Sequence, residues 1–372
     1  METHADNPRP RPLYTFNDAW TEWLAGGKFP IAFFGDSTID GANTTGWVRN
    51  TIGADNVSPN AFSRKLERLL REAADNTQLR VYNAGFSGQV SSWAVTVIDD
   101  VFGPESPYCD VKMMGIGFGI NDRLGYENEK AYRLGFKANI THLIEWCYAQ
   151  GIQPFLLTTQ ATLEPGVWTQ YVQDYPMRTS GHIDSIANEV KRELAVEYGL
   201  QLIDVNRYTE QFLLYSSHSA KHIISDRLHF GDIGHQFEAE LLFAHIVPRT
   251  VVADSFTKLD LSSQHLFRSV PEDWLTLPEK PADSFKVYVD HTLEEAEDRP
   301  ILSAWVFVLA KHPLVLRAYK HDSPDTYVRI NGKARTLTGP ETLLGELDMG
   351  LYKLEGCSGV SMRVDFKGFT LE

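Results

Sequence analysis

The sequence predicts an α/β domain built on a parallel sheet with helices on both faces, followed by a small antiparallel β domain. Three observations lead there. Between residue 28 and about 248, short apolar runs alternate with longer stretches of helical period, as strands joined by crossover helices do. Beyond residue 283 the runs alternate apolar and polar positions, and Asn331-Gly332 between two of them is a type I′ hairpin signal. The length, 372 residues, exceeds what one core usually supports.

Taken in chain order, the strands of the first domain read KFPIAFF (28–34), LRVYNA (79–84), VKMMGIGF (111–118), QPFLLTT (153–159) and LQLIDV (200–205). Helices are expected from Ser63 to Ala74, Ala131 to Gln150, His182 to Tyr198 and Gly234 to Ile246. The third of these puts Ile183, Ile186, Ala187, Val190 and Leu194 on one face. Residues 1–252 thus form the first domain. Residues 253–283 carry Pro271, Pro278 and Pro281 with little periodicity and read as a linker or wrapping segment. Residues 284–372 form the β-rich domain, with strands expected at FKVYVD (285–290), AWVFVLA (304–310), LVLRAY (314–319), TYVRI (326–330) and VSMRVDF (360–366).

Composition narrows the partners. The net charge is −14 and the 35 basic residues are scattered, so nucleic acid is not an expected partner. No run approaches the roughly 20 apolar residues a spanning helix needs, so no membrane is expected either. Three cysteines, Cys109, Cys147 and Cys357, lie far apart and suggest neither a disulfide framework nor a metal clip. The start, METHADNPRPRPLYTF, lacks the apolar core of a signal peptide, and a cytoplasmic location is the expectation. Nothing in the sequence sets the oligomeric state.

In an open α/β sheet the ligand crevice lies at the carboxyl ends of the strands, so the strand exits carry the chemistry. Here they are Gly35-Asp36-Ser37, Asn83-Ala84-Gly85-Phe86-Ser87-Gly88 and Gly119-Ile120-Asn121-Asp122. Later in the domain comes Asp226-Arg227-Leu228-His229-Phe230. Together they are parts for acyl transfer. A serine hydroxyl is a weak nucleophile, so a histidine must take its proton; a carboxylate orients the histidine; and hydrogen-bond donors must face the oxyanion of a tetrahedral intermediate.

The four segments, GDSTIDG, NAGFSGQ, GIND and DRLHF, stand in the order of the conserved blocks of the SGNH hydrolase (GDSL-type esterase/lipase) superfamily, which residues 28 to 248 resemble. The resemblance implies a flavodoxin-like parallel sheet and a serine esterase. It places the nucleophile at Ser37, the other triad members at Asp226 and His229, and the oxyanion donors at the Ser37 and Gly88 backbones and the Asn121 amide. Two positions depart from the family pattern: Gln89, where an acidic residue is frequent, and Phe230, where proline is common after the histidine. The implied substrate is a small-molecule or saccharide ester, and an O-acetyl group on a saccharide or related metabolite fits the family and the extra β domain. An acyltransferase would use the same residues, and a catalytically silent carbohydrate- or protein-binding module would keep the scaffold.

Plainer readings stand beside these. Asp36 and Asp122 read as structural, hydrogen bonding the loops that hold Ser37 and Asn121. Asp232 and His235 repeat the D-x-x-H spacing, and spacing alone does not choose between the two histidines; His235 falls at an expected helix start and reads as structural. Asp226, His229, Asp232 and His235 also have the residue types of a metal set, but no HExxH-like clip accompanies them. His218 and His222 read as one solvated helix face. The run Gly115 to Ile120 lacks the last small residue of a dinucleotide loop, so no cofactor is expected. Trp168, Tyr171 and Tyr175 fall in a loop that either lines the crevice or packs down. Trp305, Tyr319, Tyr327 and Tyr352 are either core or a sugar-stacking surface.

Overall fold

Five apolar runs become the five strands of one parallel sheet: β1 (Ile31–Gly35), β2 (Val81–Gly85), β3 (Met113–Ile116), β4 (Gln153–Leu157) and β5 (Leu202–Ile203). The strand order β2-β1-β3-β4-β5 is the flavodoxin-like one, which puts a topological switch beside β1. This computed structural model describes residues 12–122, 125–162, 183–215, 223–226, 228–247, 257–259, 266–268, 300–308, 314–320, 326–347, 350–358 and 366–371. The chain divides into two units, Met1–Glu210 with His218–Pro248, and Gln211–Ser217 with Arg249–Glu372.

Every residue of β1 is buried, because helices cover both faces of the sheet and leave no polar side to its strands. The helices are α1 (Phe16–Leu24), α2 (Ser37–Asp40), α3 (Phe62–Ala74), α4 (Ser91–Phe102), α5 (Glu129–Ala149), α6 (Ile183–Tyr198), α7 (Val205–Tyr215) and α8 (Asp232–Ile246). Helices α1, α3 and α8 pack together as one layer, and α4, α5 and α6 as the other. Alternate residues of β1 feed the two layers. Phe33 meets Phe62 of α3 at 5.0 Å edge to face, while Phe34 meets Phe102 of α4 at 5.2 Å and Phe118 at 4.9 Å. Each such ring, fully buried, is worth roughly 1.5–3 kcal/mol. Helix α1, not foreseen from the sequence, is started by a capping box in which Thr15 Oγ1 accepts from Asp18 N and the Asp18 carboxylate accepts from Thr15 N. Among the described residues no helix is long and apolar enough to cross a membrane.

The second unit is antiparallel β. One sheet has the order β11-β10-β13-β8-β7, from β7 (Leu266–Arg268), β8 (Pro300–Val308), β10 (Thr326–Ile330), β11 (Lys333–Thr336) and β13 (Gly350–Ser358). The other has the order β12-β9-β14-β6, from β6 (Thr257–Leu259), β9 (Leu314–Lys320), β12 (Glu341–Leu347) and β14 (Phe366–Leu371). Asn331 and Gly332 have φ of 50° and 75° and close the β10–β11 hairpin as a type I′ turn. Strands β6 and β7 lie within the stretch read as a linker or wrapping segment. The expected strand FKVYVD and nearly all of VSMRVDF lie outside the described residues.

Candidate active site

Ser37 opens α2 directly after the exit of β1. The turn is held by Asp36, whose Oδ1 accepts from Thr38 N at 3.0 Å and from Thr38 Oγ1 at 2.9 Å. Its Oδ2 accepts from Ile120 N at 3.4 Å, tying the serine turn to the residue before Asn121. Helix α2 then crosses the end of β2 so closely that a Cβ at Gly85 would stand 2.1 Å from Asp40 N, so only glycine fits there.

His229 reaches Ser37 across 192 residues of chain, its Nε2 2.9 Å from Ser37 Oγ. It is presented by a tight loop in which Ser225 N donates to His229 O at 2.9 Å and Gly231 N donates to Ile223 O at 3.0 Å. Asp226 organises that loop. Its Oδ1 accepts from Leu228 N at 2.6 Å and His229 N at 2.7 Å, while its Oδ2 lies 2.9 Å from His229 Nδ1. Burial by itself would push the Asp226 carboxyl up, but the bonds from the His229 ring and the two N–H groups outweigh it and hold the carboxyl well below the usual carboxylate range. An ionised carboxylate only accepts, so Nδ1 carries the ring proton and the Nε2 lone pair faces the Ser37 hydroxyl. The hydroxyl proton therefore has a base within hydrogen-bond distance.

Gly88 and Asn121 belong to neighbouring segments: Asn121 Nδ2 donates to Gln89 O at 3.0 Å, which occupies one of its two N–H bonds. Among the described residues nothing accepts from the N–H of Ser37 or of Gly88. Asp122 does bond the loops, as its sequence position suggests: it accepts from Ser91 N at 3.0 Å and from the Ser91 hydroxyl at the start of α4. Burial pushes its carboxyl up to about 6, and burial raises Asp36 as well. Lys191 of α6 is a buried counter-charge to both. Burial draws its ammonium down to about 8 against the pull of Asp36 and Asp122.

The rival pair stands apart. His235 is buried, its ring stacked on Phe62 and its Nδ1 accepting from Phe62 N at 3.2 Å; burial lowers its pKa to about 3. Asp232 Oδ1 accepts from Thr45 N at 2.8 Å. Asp226 and His229 bond each other while Asp232 and His235 take partners elsewhere, and among the described residues no group of three metal-binding side chains forms. Phe230 is also buried, edge-on to His235 and Phe237, so this departure from the family pattern packs beneath the loop. Trp168, Tyr171, Tyr175, His218 and His222 lie outside the described residues.

Several contributors escaped the sequence reading. Asn43, at φ 72°, donates from Nδ2 to Asp226 Oδ2 at 2.7 Å and so steadies the carboxylate that holds His229. Asp40 is a buried hub: it accepts from Trp47 Nε1 at 3.1 Å, from Asn50 N at 3.3 Å, and from the side chains of Asn56 and Ser87. The one available signal was the polar richness of the stretch after GDS, which does not say which residue meets which.

The model of the GDSL-like lipase/acylhydrolase family matches residues 33–237, more than half of the chain. No curated protein matches. Among solved structures the chain is similar to an α/β hydrolase from the metagenome of Lake Arreo, Spain, at 20% identity over 58% of this chain and 94% of that one, with a TM-score of 0.46. It is similar to an acetylxylan esterase from Geobacillus stearothermophilus at 18% identity over 60% and 96%, TM-score 0.47. A two-domain esterase active on acetylated mannans aligns at 14% identity over 98% and 95%, TM-score 0.46.

Proposed function

The chain belongs to the GDSL-like lipase/acylhydrolase family, and we propose that it is a serine esterase cleaving a small ester, an O-acetyl group on a saccharide or related metabolite, through an acyl-enzyme. The observation that carries the reading is the hydrogen-bonded series from Asp226 through His229 to Ser37, 2.9 Å at each link. Ser37 Oγ attacks the ester carbonyl as its proton passes to His229 Nε2, and Asp226 stabilises the imidazolium. The oxyanion meets the N–H groups of Ser37 and Gly88 and the remaining N–H of Asn121 Nδ2. Collapse of the intermediate expels the alcohol, which takes the proton from His229 and leaves acetyl-Ser37. Water then attacks with His229 as base, and acetate leaves. The saccharide part of the reading rests on the habit of the family and on the added β unit.

The test is Ser37→Ala assayed with p-nitrophenyl acetate. The variant should keep the wild-type melting temperature and lose on the order of 10⁴-fold or more of its turnover. A fluorophosphonate should label the wild type at Ser37 and leave the variant unlabelled. Near-wild-type turnover by the variant would overturn the assignment.

A further inference from the structure

Phe86-Ser87-Gly88-Gln89 forms a four-residue turn. Gln89 N donates to Phe86 O at 3.2 Å, and Gly88 has φ 83°, the value the third residue of a type II turn requires. What separates type II from type I is the orientation of the central peptide, here Ser87–Gly88. A trans peptide points its C=O and N–H in opposite directions, so whatever holds the Ser87 carbonyl also sets where the Gly88 N–H points. Arg49 holds it: Nη2 donates to Ser87 O at 2.9 Å, and a Cβ on Gly88 would stand 3.8 Å from the same nitrogen.

The arginine is itself aimed. Residues on both sides of it are fastened to Asp40, Trp47 through its ring N–H and Asn50 through its backbone N–H. The Ser87 hydroxyl is bonded to the same carboxylate, so both partners of the Arg49 contact hang from one buried group.

We propose that Arg49 is a positioning residue for the oxyanion hole: its guanidinium locks the Ser87–Gly88 peptide in the type II orientation and polarises it, presenting the Gly88 N–H as a fixed and strengthened donor. The inference rests on the esterase reading, in which Gly88 N–H receives the oxyanion. A charged donor on the carbonyl withdraws density from the amide, and a donor fixed beforehand needs no reorganisation when charge develops. Among the described residues only Arg49 bonds the Ser87 carbonyl, so without it the central peptide of the turn loses the contact that fixes its orientation.

The experiment compares wild type, Arg49→Ala and Arg49→Lys on p-nitrophenyl acetate, with Ser37→Ala alongside. Arg49 is exposed, so the variants should fold. Removing one oxyanion donor outright costs about 10²–10³-fold in kcat, and loosening one should cost Arg49→Ala about tenfold or more, with KM within about twofold. Arg49→Lys should fall between, and added guanidinium salt should raise the rate of Arg49→Ala but not of wild type. Because arginine does not titrate in the working range, the acid limb of the pH–rate profile should keep its position. A kcat for Arg49→Ala within about twofold of wild type, a loss confined to KM, or no response to guanidinium would each overturn the proposal. Should Ser37→Ala keep its turnover, the esterase reading itself fails. An inactive Ser37→Ala beside a fully active Arg49→Ala removes the Arg49 role alone.

Discussion

Asp226–His229 and Asp232–His235 share one spacing, follow each other closely in the chain, and come to opposite fates. In the first pair both residues sit in a loop closed by backbone bonds, and the aspartate bonds both the backbone and the ring of its own histidine. The second pair opens α8. There positions three apart share a helix face, yet Asp232 turns to Thr45 N while the His235 ring goes inward onto Phe62. His235 Nδ1 is 3.9 Å from a Glu238 oxygen, and the ring is buried neutral. Spacing therefore sets which side chains are able to meet. The backbone path and the surrounding burial decide which of them do, and only the loop leaves a ring nitrogen facing a hydroxyl.

The comparison breaks if the two histidines prove interchangeable in function. His229→Gln should lower kcat on an acetyl ester by about 10⁴–10⁶-fold without lowering the melting temperature. His235→Asn should keep kcat within about tenfold and instead lose roughly 1–3 kcal/mol of stability, because a buried N–H at Phe62 loses its ring acceptor or finds a poorer one. Steady-state kinetics and urea unfolding on the same preparations separate the two outcomes. A smaller contrast is expected for the aspartates. Asp226→Asn should cost roughly 10³–10⁴-fold in kcat, since an amide does not enforce the proton on Nδ1. The 43% exposure of that side chain argues for the lower end. Asp232→Asn keeps an acceptor for Thr45 N and should stay within about tenfold of wild type. Equal losses for the two aspartates would mean that the loop and the helix start serve the reaction alike.

What the residues disclosed beforehand follows the same division. The five strands were legible because each carries a short apolar run, IAFFG most plainly. That Ser37, Asp226 and His229 would meet was legible because the segments carrying them stand in the order of the family's blocks. Asn43, Asp40 and Arg49 were not, because their roles arise where one loop touches another, and an arginine that meets a carbonyl leaves no pattern of residue types. Helix α4 was missed although it covers the sheet beside β1; it follows the glycine block without a side-chain cap to mark its start. In the second unit β13 was missed for a different reason. It runs centrally between β10 and β8, but Lys353 and Glu355 occupy buried positions as an ion pair at 3.2 Å, so the strand does not look apolar where it is covered.

The finest test of the comparison is thermodynamic. With its pKa lowered from 6.5 to about 3, His235 stays neutral in the folded chain while an unfolded chain takes up a proton below 6.5. Neutral His235 therefore contributes stability that is lost as the pH falls from about 6.5 towards 3, at up to about 1.4 kcal/mol per pH unit. Buried carboxyls oppose this. Asp122, raised to about 6, binds its proton in the folded state first, and so regains stability over much of the same window. The slope for wild type alone is thus a difference of terms, and the informative quantity is the gap between wild type and His235→Asn. That gap should narrow once the pH falls below about 6.5 and close or change sign by about pH 4 when urea unfolding is repeated from pH 7 downward, because the variant has no ring to protonate on unfolding. A gap that stays constant would mean that the ring is not buried in its neutral form, and the contrast between a working histidine and a packed one would lose its physical basis.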